Sequence, residues 1–208
     1  MKTLSLFLLL ITCVASGCKA LKASPEPAGA APGSNPRTEV IEASHKLIEA
    51  KSLTGRIDAT GPAPFKQQVE YVAPDRYRVS YRDEAGAETQ LLMAGDKSYV
   101  RSGDSWNEMS SDTNPTPTIR NSFSDEVLGS ISEAKFEGED KVDGKTALVY
   151  SYKLVTKVGN FPVTQKIWVD TITGIPIKCY VEYSEGSIKT LTTTFDTELP
   201  VTIDLPSN

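Results

Sequence analysis

Few residues in this chain have types and spacings that could do chemistry. Cysteine occurs at Cys13, Cys18 and Cys179, and histidine only at His45. A single imidazole leaves nothing for a multi-histidine metal site and weakens any Ser-His-Asp arrangement. The run Gly138–Thr146 (GEDKVDGKT) approaches a phosphate-binding loop. That motif needs four residues between its glycines and a helix after them; here five intervene and a strand-like run follows, so it reads as a hairpin turn. Ser132-Glu-Ala-Lys135 fits the S-x-x-K of penicillin-interacting enzymes, but the companion motifs are absent. Cys179 stands in the strand-like run IKCYVEY and reads as a small buried apolar residue rather than a nucleophile. The 27 acidic residues include no pair singled out by spacing. No catalytic residue, metal ligand or cofactor is therefore assigned, and the chain is not expected to be an enzyme.

Cys18 is different, because its chemistry is set by what precedes it. Lys2 is followed by an apolar run from Leu4 to Val14, too short to span a bilayer, and then by Ala15-Ser16-Gly17. A basic start, a short apolar core and small residues before a cysteine resemble a bacterial lipobox, with Ala15 standing where Leu is commonest. The resemblance implies a signal peptide over 1–17 and acylation of Cys18 as the new first residue. The alternative is an ordinary signal peptide with Cys18 incidental. Stable anchoring needs two or more acyl chains, each buried CH₂ contributing roughly 0.8 kcal/mol. Cys13 would leave with the signal and Cys18 would be capped. Cys179 then remains the one thiol, no intrachain disulfide can form, and stability must come from the core. Lys19, not Asp, follows Cys18, which by resemblance to the enteric sorting rule favours the outer over the inner membrane.

The remaining composition narrows function by exclusion. Of 208 residues, 39% are hydrophobic and 24% charged, with 14 Gly and 13 Pro. This is a globular composition, unlike that of collagen, coiled-coil or polytopic membrane chains. The net charge of −5, with no basic block, is a poor match to phosphate neutralisation, so no nucleic-acid partner is expected.

The elements that would position any site follow from periodicity. Residues 18–36, rich in Ala, Pro, Gly and Ser, read as a flexible tether behind the lipidated cysteine. Residues 37–51 read as a helix with Val40, Ile41, Leu47 and Ile48 on one stripe and His45 off it. From residue 52 the period becomes two. RYRVSYRD alternates Tyr77, Val79 and Tyr81 with Arg76, Arg78, Ser80 and Arg82, the pattern of a strand with one wet face. Turns are expected at Pro74-Asp75, Glu84-Ala85-Gly86, Gly95-Asp96, Asp143-Gly144 and Thr173-Gly174, and a loop over 111–118. Ile119, Phe123, Val127, Leu128 and Ile131 are spaced as one face of a second helix over 119–131, in which Gly129 marks an end or a bend. Counting gives about eleven strands and two helices: an α+β domain over 37–206.

In order along the chain, VEYVAPDRYRVSY, GDKSYVRSGDSW and IWVDTITGIPIKCYVEY, between a lipidated N-terminus and a mid-chain helix, resemble the Lol-type (LolA/LolB-like) lipoprotein carriers and receptors. They also resemble the mycobacterial lipid-binding lipoproteins. The resemblance implies a strongly curved antiparallel sheet, an unclosed half-barrel, with a helical lid and an apolar cavity between them. No individual binding residue of the family carries over. The cavity-lining candidates come from alternation alone. From the strands these are Tyr77, Val79, Tyr81, Leu148, Tyr150, Tyr152, Ile167 and Val169. From the helices they are Val40, Leu47, Phe123 and Val127. The same residues would serve equally as a solid core. The expected function is a membrane-anchored lipoprotein of the bacterial cell envelope, facing the periplasm. It would take a lipid or acylated-protein cargo, in lipid or lipoprotein transport. The rival is an envelope sensor or protein-interaction module on the same fold.

Overall fold

The computed structural model describes residues 35–82, 86–109, 122–156, 162–184 and 186–206. The expected signal peptide, Cys18 and most of the expected tether lie outside the described residues, as do the expected loop over 111–118, Ile119, and Glu84 and Ala85 of one expected turn.

The first element is α1 (Pro36–Ile48). Asn35 starts it: its side-chain oxygen accepts from the amides of Arg37 (3.1 Å) and Thr38 (3.3 Å), and Pro36 follows with its φ pre-set. The helix buries Val40, Ala43, Ser44 and Leu47, which are i, i+3, i+4 and i+7. It ends at Ile48 rather than 51, because strand pairing takes over: Lys51 accepts from the Ala73 amide (2.8 Å) and Ser52 is already in register with Val72.

Eleven strands follow. The first six are β1 (Ser52–Thr60), β2 (Phe65–Val72), β3 (Arg76–Arg82), β4 (Glu88–Ala94), β5 (Lys97–Ser102) and β6 (Ser105–Met109). After α2 (Asp125–Gly129) come β7 (Ser132–Val142), β8 (Lys145–Val155), β9 (Pro162–Asp170), β10 (Pro176–Glu182) and β11 (Thr190–Asp196). They make one antiparallel sheet in the order β6-β5-β4-β3-β2-β1-β11-β10-β9-β8-β7. Two meanders are thus joined along the central β1–β11 seam. The outermost strands, β6 and β7, are consecutive in sequence but at opposite edges, so the sheet is unclosed. The connection that carries α2 has to run from one edge to the other.

Register irregularities bend the second half of the sheet. They fall in β7 between Ser132 and Lys135 and between Phe136 and Gly138, and in β10 between Pro176 and Lys178. Asp143 and Gly144 both take positive φ (49° and 84°) between the paired Val142 and Lys145. This is the primed hairpin turn that the DG pair favours, so the phosphate-loop lookalike is a turn.

One face of the sheet carries the main core. Leu53, Ile57, Val69, Tyr71, Ile167, Val181 and Phe195 meet the apolar faces of both helices there. The opposite, outer face holds two smaller clusters. One gathers Ala147, Val149, Trp168 and Ile177. The other gathers Leu92 and Tyr99 beneath Ile203 of the C-terminal segment, whose carbonyl accepts from Arg76 Nη1 at 3.0 Å. Between these clusters the outer face is polar.

The second helix is shorter than its sequence pattern implies. Among the described residues it covers Asp125–Gly129, with Ser130 as its C-cap, so Phe123 and Ile131 flank it. Both are still buried with Val127 and Leu128. The apolar spacing recorded which side chains face the sheet, while Gly129 ended the helix.

Candidate functional site

The inner face brings the alternation-derived residues together. Val40, Leu47, Tyr77, Val79, Phe123, Val127, Tyr150, Tyr152, Ile167 and Val169 all belong to one cluster of buried side chains, and Leu148 packs against it half-buried. Tyr81 stands apart: it is 39% exposed, at the end of β3, with its ring 6.3 Å from that of Phe65. α1 lies over β7, β8 and β10, and α2 over β8, so the helices roof the second meander.

Two polar latches join the helices. Arg37, in the first turn of α1, donates through Nε to the Ile131 carbonyl (3.0 Å) and through Nη2 to the Gly129 carbonyl (3.1 Å). Its guanidinium sits where the carbonyls at the end of α2 lack helical partners. Near the other end, His45 Nε2 lies 3.1 Å from Asp125 Oδ1 in the first turn of α2. The lone histidine is thus a half-exposed strut of the lid.

The inner cluster is not wholly apolar. Tyr150 donates its hydroxyl to Glu39 Oε2 of α1. Burial, and then the Glu39 carboxylate, push the phenol well above its ordinary value. Glu39 Oε1 is buried with no hydrogen-bond partner. Deeper in, Gln165 donates to Cys179 Sγ (3.3 Å), and burial pushes that thiol up to about 12, so it is a neutral, enclosed group. Tyr152, also enclosed, is raised by burial too.

No protein-family model matches the sequence, and no curated protein matches it by sequence. Solved structures match its fold. The lipoprotein LppX of Mycobacterium tuberculosis superposes with a TM-score of 0.62 at 15% identity, over 81% of this chain and 98% of that one. LprF from Mycobacterium bovis gives 0.62 at 12% identity, over 83% and 97%. The chain has the half-barrel fold of the mycobacterial lipoproteins. The resemblance drawn from the order of motifs to the mycobacterial lipoproteins therefore holds at the level of fold. MucB matches less closely, with a TM-score of 0.51 at 14% identity, over 82% of this chain and 62% of that one.

The half-barrel also has a feature that sequence reasoning missed. On the outer face, across β11, β1, β2, β3 and β4, lies an open groove of about 780 Å³. Register aligns its floor in rows: Thr194, Arg56, Gln68, Ser80 and Gln90 run across the five strands. A second row contains Thr192, Asp58, Lys66, Arg82 and Glu88. Ion pairs stiffen it: Lys66–Asp58 (3.3 Å), Arg82–Glu88 (2.8 Å) and Arg78–Glu70. The Arg82 hydrogen bond, then that of Gln90, holds Glu88 below the usual carboxylate value. A smaller cavity of about 120 Å³ adjoins across Arg56 and Thr194, bordered by Asp143, Lys145 and Asp196. The alternation of charges in β1, β2 and β3 marked a wet face. Only the pairing register shows that the wet residues converge.

Chemically reactive arrangements do not form among the described residues. No group of three His, Cys, Asp or Glu is placed to hold a metal there. Lys135 of the S-x-x-K run is exposed and separated from Ser132 by a register shift in the edge strand β7. No helix among the described residues is long and apolar enough to cross a membrane.

Proposed function

We propose that the chain is a lipoprotein of the bacterial cell envelope, anchored through acylated Cys18 and facing the periplasm, whose half-barrel takes an acyl chain between the sheet and its helical roof. The cargo is a lipid or an acylated protein, held at the membrane rather than shuttled freely. The observation that carries this reading is how few described side chains of the α2 segment cover the apolar face. The α2 segment holds the sheet through Phe123, Val127, Leu128 and Ile131. At about 2 kcal/mol for each buried side chain, these contribute on the order of 8 kcal/mol gross. Ten methylenes of an acyl chain contribute roughly the same. Exchanging the lid's side chains for a lipid chain is therefore near balance, the condition for loading and release. The cavity-lining set is the inner cluster around Tyr77, Val79, Leu148, Tyr150, Tyr152, Ile167 and Val169, with Tyr81 at the rim, closed by Val40, Leu47, Phe123 and Val127.

The test is native mass spectrometry of the full chain from a lipid-containing host. A co-purifying acyl species is expected, reduced in an Ile167→Trp variant that fills the interior. A clean apo mass, with no uptake of a fluorescent fatty acid, would overturn lipid binding. The close packing of the described inner side chains favours one second reading, an envelope protein-interaction module without lipid. A stable protein complex recovered free of lipid would establish it. Anchoring is tested separately: a Cys18→Ala chain should lose membrane partitioning, and one that still partitions refutes the anchor.

A further inference from the structure

The outer groove lies on the opposite side of the sheet from the acyl-chain interior, and its residues call for another ligand. Its volume, about 780 Å³, is that of a small-molecule or oligomer-repeat site. Its floor is made of groups that both donate and accept. Among the described residues the hydroxyls of Ser80, Thr192 and Thr194 have no hydrogen-bond partner, though all three are half-buried. Gln68 and Gln90 lie between them, held by the carboxylates they donate to, Glu70 (2.9 Å) and Glu88 (2.5 Å). Three of the groove's cations are matched by its three acids. Arg56 is the exception: it is exposed, and no carboxylate among the described residues lies within ion-pair distance. It stands beside Thr194 and Gln68, at the junction with the smaller cavity.

We propose that this groove binds an acidic saccharide, with Arg56 as the anchor for its carboxylate and the amide and hydroxyl rows for its hydroxyls. Each part follows from chemistry. Sugar hydroxyls donate and accept at once, as do the floor groups. One unmatched guanidinium fits one carboxylate per bound unit, and its fork can hold both oxygens. A peptide is served less well. The backbone of the groove's strands is already paired inside the sheet and cannot add a strand. No residue of the outer face's apolar clusters lines the groove, so it offers no apolar side-chain pocket.

The probe is tetragalacturonate, titrated against the full chain by calorimetry, with cellotetraose and tetraglutamate as comparisons. Binding of the acidic saccharide is expected, at least tenfold tighter than of cellotetraose. An Arg56→Ala variant should lose at least tenfold in affinity and Arg56→Lys less, both with unchanged melting temperature because Arg56 is exposed. An Arg37→Ala variant, altered on the inner side, should bind as the parent does. No binding at millimolar saccharide, equal binding by Arg56→Ala, or preference for cellotetraose or tetraglutamate would each overturn the proposal. Acyl binding is read on the other face of the sheet, so the two outcomes are independent.

Discussion

Replacing Arg37 by Ala isolates the lid from the sheet. The guanidinium makes two hydrogen bonds to carbonyls at the end of α2, those of Gly129 and Ile131. A hydrogen bond involving a charged group contributes about 1.5–3 kcal/mol, towards the lower end when partly exposed, and water recovers part of it at the freed carbonyls. The net loss expected for the pair is about 2 kcal/mol. That corresponds to roughly a 30-fold rise in the open lid population, at 1.4 kcal/mol per factor of ten. The readout is native-state hydrogen exchange. The amides of Leu128, Ser130 and Ile131 bond to the carbonyls of Ser124 (2.9 Å), Val127 (3.0 Å) and Leu128 (3.2 Å), so they report lid opening. Ile167 and Thr193, in the interior strands β9 and β11, report global unfolding. The lid amides should exchange about 30 times faster while the strand amides change much less. Arg37→Lys, keeping the charge but not the fork, should fall between. Equal acceleration of both sets would mean that lid and sheet open only together. No acceleration would mean that the latch holds nothing. Either result refutes a lid that opens independently.

Further outcomes follow from the inner face and the turns. Tyr150→Phe leaves the Glu39 carboxylate half-buried without its donor and should cost about 2 kcal/mol by urea denaturation; pairing it with Glu39→Leu should recover most of the loss. Cys179 is held neutral in the fold up to about 12, against 9.0 when unfolded, so its contribution is complete below pH 9. It is lost as pH rises towards 12, by about 4 kcal/mol at 1.36 kcal/mol per pH unit. Urea midpoints between pH 9 and 10 should therefore fall less steeply in Cys179→Ala, whose baseline stability is compared at pH 7. Gly61→Ala should destabilise by 2 kcal/mol or more in thermal melts: φ there is +131°, and a Cβ would sit 2.6 Å from the Ser187 carbonyl oxygen, where β1 and β2 turn against the segment before β11.

What the sequence by itself determined was the facing of each side chain. Alternation in RYRVSYRD and TALVYSYKLV assigned Tyr77, Val79, Tyr150 and Tyr152 to one side, and the structure buries all four in one cluster. Period alone does this, because a pleated strand has two faces and water selects between them. The DG turn was legible for the same local reason, since few residues tolerate the positive φ it needs. The α1 start was visible in the amphipathic period, but its end was not: pairing between β1 and β2 stopped it at Ile48. The second helix shows the same division. Its apolar positions predicted burial, which the described Phe123, Val127, Leu128 and Ile131 show, while its start at Asp125 follows from the extended backbone of Ser124 and its last carbonyls are met by Arg37, distant in sequence.

Tertiary structure alone decided what lies beside what. The β1–β11 seam brings Arg56 next to Thr194, and β2 brings Gln68 to its other side, across separations that no local pattern encodes. An isolated strand with Arg56 and Asp58 on its wet face reads as an ordinary solvated edge. Five such strands in register make a polar groove, and meanders ending at opposite edges force their connection to run from one edge of the sheet to the other. Side-chain facing is a property of neighbouring residues, and so was readable in advance. Register and strand order are long-range choices, made only when the whole sheet closes over one apolar face.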